Sequence, residues 1–249
     1  MDIALKIQYD GTNYSGWQVQ PNAITVQELV DKALSKIFGK ELTSMGSGRT
    51  DSGVHARGQV CSIKFDGEPN ISTEKLIKAL NNKLPYDIRI TKAQYFEKFH
   101  ARFDAKFREY SYTIITKEDV FNDRFAAFVK YPINLDLLWD AAILFRQKID
   151  FTTFSKFNSD KINPVCNVIQ SRWEILEGHR FRYHIKSNHF LYGMVRSIVG
   201  TMIDIARGKR SLAEVELSLS LKDRKLNSPL ISPKGLILEK IYYDEQIDF

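Results

Sequence analysis

Arg49 and Asp51 stand two residues apart in the stretch Gly46-Ser47-Gly48-Arg49-Thr50-Asp51-Ser52-Gly53-Val54-His55-Ala56. Three glycines and small hydroxyl residues let the main chain approach a ligand closely, because glycine accepts positive φ and has no side chain to clash. At that spacing a guanidinium holds a carboxylate ionised or grips a phosphate. On residue types alone, a structural turn with a surface ion pair reads equally well. The stretch lacks the closing Gly-Lys-Ser/Thr of a P-loop and the Gly-x-Gly-x-x-Gly spacing of a dinucleotide site.

Arg196 is the only charged residue from Phe190 to Ile203, on a helix whose Leu191, Met194, Val195, Ile198, Val199 and Met202 mark it for burial. An arginine held there needs an anionic or strongly polar partner, for which Asp51 is the candidate, or must reach out to a nearby surface. Tyr110 and Tyr112 alternate on a strand and either present a ring to a ligand or fill a sheet face. His55 and His100 flank these segments, and a histidine in such a place either supports a loop or touches a ligand. His179, His184 and His189 are not at metal spacing, and Cys61 and Cys166, far apart on strands, read as core thiols without a metal or a disulfide.

The elements that must position these residues follow from periodicity. Ile3, Leu5, Ile7 and Tyr9 alternate with polar residues as in a strand with one covered face. Thr25 and Glu28 form a capping box opening a helix with the stripe Val26, Leu29, Val30, Ala33 and Ile37, stopped at Gly39. A short strand near Leu42, a strand Gln59 to Phe65, a helix from Ser72 to Leu84 and a strand from Ile88 complete the first half. The second holds a strand Phe107 to Thr116 and a helix Leu135 to Phe145. Strands Val168 to Leu176 and Phe181 to Ser187 flank Gly178 at hairpin distance, before helices Phe190 to Arg207 and Leu212 to Leu219 and a last strand Gly235 to Tyr243. The expected fold is α+β, two packed α/β halves (1–103 and 104–249) with mixed or antiparallel sheets flanked by helices.

With 249 residues, 43% of them hydrophobic, the chain has material for a sizeable core, and its net charge of +6 and pI near 9.1 favour a polyanionic partner. A generically basic enzyme would carry the same charge. The first nine residues lack the basic head and long apolar run of a signal peptide, and no stretch reaches membrane-spanning length. A soluble protein of the reducing cytoplasm is the expectation.

Gly48-Arg49-Thr50-Asp51-Ser52-Gly53-Val54-His55-Ala56 resembles the Gly-Arg-Thr-Asp-Ala-Gly-Val-His-Ala signature of the TruA family of tRNA pseudouridine synthases, departing only at Ser52. The likeness extends over Tyr9-Asp10-Gly11-Thr12-Asn13-Tyr14, Gly16-Trp17-Gln18, Thr25-Val26-Gln27-Glu28, Leu80-Asn81, Leu84-Pro85, Asp87-Ile88, Phe99-His100-Ala101-Arg102-Phe103 and Met194-Val195-Arg196 with Ile198-Val199-Gly200. Tyr192-Gly193 stands where the family has two histidines, and Ser228 to Ser232 departs from its pattern before Gly235-Leu236. The resemblance implies a pseudouridine synthase fold with a central RNA-binding cleft. It implies Asp51 as nucleophile, Arg196 as its partner, Tyr110 as the ring that stacks on the target base, and Arg49 as a contact that helps flip the nucleotide. It also implies the anticodon arm of tRNA at positions 38 to 40 as substrate, a homodimer in which one subunit docks the tRNA that the other modifies, and no cofactor.

Further contacts to RNA would come from His55, Arg57, Arg102, Lys106 and Arg108, and from Arg180, Arg182 and Lys186 on later strands. Two other readings compete. A non-catalytic RNA-binding module would place no carboxylate against phosphate and would show an aromatic-rich RNP-like string, which is absent. A glycosidase needs two positioned carboxylates, and only Asp51 stands out.

Overall fold

Where apolar and polar residues alternate, the chain forms strands with one side turned inward, and where they recur every three or four residues it forms helices. The computed structural model describes residues 1–121, 123–155, 163–245, 247 and 249. Along the chain run β1 (Asp2–Tyr9), α1 (Val26–Phe38), β2 (Ser44–Gly46), β3 (His55–Lys64), α2 (Thr73–Asn81), β4 (Ile88–Phe96), β5 (Phe107–Ile115) and β6 (Ala127–Phe128). There follow α3 (Leu135–Leu144), β7 (Lys148–Asp150), β8 (Val165–Leu176), β9 (Arg180–Ser187), α4 (Met194–Ala206), α5 (Leu212–Leu221) and β10 (Leu236–Tyr242). No helix among the described residues is long and apolar enough to cross a membrane. The chain divides into two compact units, 1–106 with 237–249, and 107–236. The sequence reading groups 104–249 together, whereas the structure returns the last strand to the first unit.

In the first unit the strands lie in the order β4-β1-β3-β10, with β2 also on β3. β1 is antiparallel to both β3 and β4, and β10 runs parallel to β3 with Ile237 opposite His55. Ile3, Leu5 and Ile7 are fully buried, together with Val26, Val30, Ala33 and Leu34 of α1 and Leu76 and Leu80 of α2. Leu29 and Ile37, expected in the stripe of α1, are half-buried. β3 begins four residues before its expected start, and every residue from His55 to Ile63 except Arg57 is buried. A strand covered on both faces shows no alternation, so its first turn of sequence reads as loop. α2 ends at Asn81 rather than Leu84; Ser72 caps it as expected, accepting the N–H of Lys75.

The capping box expected at Thr25 is not formed. Thr25 is the N-cap of α1, but its side chain makes no capping bond, and Glu28 pairs with Lys32. The first helical N–H groups are satisfied by main-chain carbonyls instead: Val26 donates to Gly16 and Gln27 to Trp17. Gly39 ends the helix in the left-handed conformation at φ 66.

One carboxyl in this unit sets a pH dependence. Asp31 on α1 accepts the N–H of Ser44 at 2.9 Å, and burial pushes it up to about 6 although that bond pulls the other way. A group whose folded value is raised favours the folded state while protonated, so its contribution is complete below about pH 4 and fades as pH rises through about 6. Asp31→Asn should therefore raise stability at pH 7.5 by about 1–2 kcal/mol, discounted for partial solvent access, and leave it unchanged at pH 4. Thermal melts of both proteins across that range check this; equal melting temperatures at pH 7.5 would refute it.

In the second unit β5, β9, β8 and β7 form an antiparallel succession, and β6 pairs parallel with β5. The β8–β9 hairpin turns through Gly178 and His179, both at positive φ. Phe181, Tyr183 and Ile185 of β9 are buried and alternate with Arg180, Arg182, His184 and Lys186. α4 is buried at all positions but Arg196 and Gly200. It starts four residues later than expected because Gly193 adopts φ 72, which interrupts the helix where hydrophobic spacing runs on. Cys61 and Cys166 are buried free thiols. Both units thus carry mixed sheets flanked by helices, the α+β class expected.

Candidate active site

The Asp51 loop is assembled from main-chain contacts with the segment that follows β1. Trp17 N–H donates to the Thr50 carbonyl at 3.2 Å, Gly53 N–H to the Tyr14 carbonyl at 3.2 Å, and Tyr9 and Thr50 join their hydroxyls at 2.8 Å in a buried bond. Ser52 adds a hydroxyl bond to the same Tyr14 carbonyl at 3.3 Å. These ties leave no room for side chains at two glycines. A Cβ on Gly16, whose φ is +89, would stand 2.4 Å from the Thr50 oxygen, and one on Gly11 would stand 2.0 Å from the Val54 oxygen. Because Gly16 and Trp17 also cap α1, three stretches singled out in the sequence, 9–18, 25–28 and 46–56, form one hydrogen-bonded body.

Within that body the Asp51 carbonyl accepts the N–H of Val54 at 3.1 Å, closing a turn that leaves Asp51 half-buried and Arg49 exposed. Gln59 holds the other side: fully buried, it accepts from the Ser47 hydroxyl at 2.7 Å and donates to the Gly48 carbonyl at 3.0 Å. Sequence reasoning missed Gln59; its only signal is an amide amid the apolar run of β3. A buried amide satisfied in this way fixes loop geometry at low entropic cost.

His55, expected either to support the loop or to touch a ligand, lies beneath the loop. It is 2% exposed, and its Nδ1 accepts the Gly11 N–H at 3.1 Å. An Asp10 carboxylate oxygen lies 3.1 Å from the same nitrogen. His55 thus braces the loop from beneath. His100 does similar work in its own turn, its Nδ1 accepting from Arg102 and Phe103 N–H at 3.2 Å. Arg102 and Phe103 are exposed at the tip of that turn.

Two other expected phosphate contacts already hold carboxylates: Arg57 binds Glu239 at 3.1 Å and Lys106 binds Asp244 at 3.2 Å. With both cations largely exposed, such pairs are weak.

In the second unit Tyr110 is buried on β5 with its ring edge-on to Phe190, centroids 5.1 Å apart. The register pairs Tyr110 with Ile185 and Tyr112 with Tyr183, so both tyrosines share a sheet face with the buried residues of β9. Arg180, Arg182 and Lys186 alternate with those residues and point from the opposite face. They therefore do not join Tyr110 in one surface. Arg108, on the face of Tyr110, donates to the Asn188 carbonyl at 2.8 Å. Tyr112 is fully buried and donates its hydroxyl to the Ser232 carbonyl at 2.6 Å; burial raises its pKa, and the nearby Arg196 guanidinium opposes the rise. Arg196 is half-buried, with Nε bonded to the Ile231 carbonyl at 2.8 Å.

A sequence profile described as tRNA pseudouridine synthase matches residues 6–104 and 141–244. The chain belongs to the tRNA pseudouridine synthase family. A tRNA pseudouridine synthase A of Azobacteroides pseudotrichonymphae is 38% identical over 242 residues, covering 97% of this chain and 96% of that relative. Those of Brevibacillus brevis and Bacteroides fragilis are 39% and 34% identical, with 95% and 97% of this chain covered and 97% and 96% of theirs. Among solved structures, a Cbf5-Nop10-Gar1 complex aligns with a TM-score of 0.37 at 10% identity, over 97% of this chain and 60% of that one, too slight a likeness to argue from. Membership of the pseudouridine synthase family makes the chain an isomerase that converts uridine to pseudouridine in RNA.

Proposed function

We propose that this enzyme acts on the anticodon arm of tRNA at positions 38 to 40, with Asp51 as nucleophile, Arg196 as the guanidinium that keeps it ionised, and Tyr110 as the ring that stacks on the uracil. The observation that carries the reading is the built turn around Asp51, in which Thr50, Asp51 and Gly53 are each held by main-chain bonds. Isomerisation breaks the bond between ribose C1′ and N1 of uracil, and the ring turns before C5 bonds to C1′. The C5 proton is then lost and N1 gains one, so no electrons are exchanged. An ionised carboxylate starts this by attacking C1′ or by removing a proton at C2′. Stacking against Tyr110 keeps the freed ring in place, which converts recombination into an intramolecular step.

Reaching a base in a stem requires extruding it, at a cost of a few kcal/mol that contacts to the RNA backbone offset. Arg49 and Arg102 supply these contacts, a reading supported by their exposure. The net charge of +6 supports an RNA partner of this kind. A homodimer working in the cytoplasm accords with the resemblance and with two buried free thiols. The deciding experiment incubates the purified chain with unmodified tRNA and maps pseudouridine at nucleotide resolution. Pseudouridine at 38 to 40 is the expected result; modification elsewhere, or release of free uracil, would refute the reading.

A further inference from the structure

Arg196 projects from a face of α4 that also carries Ser197, Gly200 and Thr201, and the segment 227–231 is fastened along it. Thr201 Oγ1 donates to Asn227 Oδ1 at 3.4 Å, and Asn227 Nδ2 donates to the Ser197 hydroxyl. Both helix residues are fully buried, so Asn227 satisfies two hydroxyls that have no access to water. Two residues on, the Pro229 carbonyl lies so close to the helix that a Cβ at position 200 would stand 2.6 Å from its oxygen. Two residues further, the Ile231 carbonyl accepts Arg196 Nε at 2.8 Å. The next carbonyl, of Ser232, accepts the hydroxyl of Tyr112, two positions from Tyr110 on β5.

A guanidinium is rigid and planar, so a bond at Nε restrains where the two terminal nitrogens can point. What fixes the Ile231 carbonyl therefore helps to set the direction of Arg196. We propose that Asn227 is a positioning residue for the isomerisation: by pinning the strap 227–231 to Ser197 and Thr201 it sets the carbonyl that orients Arg196. The inference rests on the role given to Arg196 above. Asn227 itself touches no substrate and acts only through the strap.

The test uses the full chain with Asn227→Ala and Asn227→Asp, each with and without Arg196→Ala. It measures kcat and KM on unmodified tRNA and the nitrogen-15 order parameter of the Arg196 Nε–H. Asn227→Ala should lower kcat by about thirtyfold, keep KM within about twofold, and lower the order parameter, because a small misorientation costs rate rather than binding. Asn227→Asp should restore kcat to within about threefold, since its carboxylate accepts from both hydroxyls. On the Arg196→Ala background Asn227→Ala should cost nothing further. An unchanged order parameter, or an equal loss of kcat on both backgrounds, would overturn the proposal. Full activity in Arg196→Ala alone would reject the role of Arg196, and with it any part of Asn227 in the chemistry, while the order parameter would still report whether the strap holds. Ser197→Ala, which removes a single tie, serves the same comparison if Asn227→Ala does not fold.

Discussion

Asp51→Asn should reduce pseudouridine formation by at least ~10⁴-fold, a barrier increase of about 5 kcal/mol, while tRNA binding stays within several-fold of wild type. The amide matches the carboxylate in size, so the turn closed by the Asp51 carbonyl and the Val54 N–H persists. What is lost is the negative oxygen that, in the proposed mechanism, starts the reaction at C1′ or C2′ of the ribose. Single-turnover formation of pseudouridine on unmodified tRNA, with a filter-binding titration beside it, separates the two quantities. Activity within tenfold of wild type would show that another group starts the reaction.

Gly16→Ala should be nearly as damaging for a different reason. Its backbone sits at φ +89, and a methyl group would meet the Thr50 oxygen at 2.4 Å and the Asp51 carbonyl carbon at 3.1 Å. The loop must move, and with it the carbonyl that caps α1. The expected cost is about 2–4 kcal/mol of stability and at least ~100-fold in kcat, since displacement by an ångström is enough to misplace a nucleophile. Gly39→Ala is the control: it too has positive φ, but nothing lies within 4 Å of its added methyl. It should lose about 1 kcal/mol and no activity. Equal activity losses in the two variants would mean that contact with the Asp51 loop is not what Gly16 provides.

The elements that carry a clear period were legible before any coordinates. Ile3 to Tyr9, the alternation of β9 and the hairpin at Gly178 follow from residue type alone, because each has one dry and one wet face. β6 and β7, with two and three residues, are too short to show any period. The start of β3 was hidden for the opposite reason, burial on both faces. At the start of α1 the sequence offered Thr25 and Glu28, whereas the donors are met by main-chain carbonyls from residues 16 and 17, which no side-chain motif announces. The Asp51 loop was legible as a Gly-rich turn, and the family resemblance singled out its carboxylate. What the turn leans on was not legible: Tyr9 and Thr50 are 41 residues apart in sequence. Nor could spacing alone separate Tyr110 from Arg180, Arg182 and Lys186; that required the pairing of β5 with β9.

Arg57, two residues beyond the start of β3, bonds to Glu239 on β10, 182 residues further along the chain. The strand that borders the Asp51 loop therefore receives this neighbour only after all of residues 107–236 have left the ribosome. Until then the start of β3, at His55 and Ala56, has open hydrogen-bonding groups that invite wrong pairing. Messages broken anywhere within the second unit should yield products that lack this border and carry no activity, so the nascent protein becomes competent late and all at once.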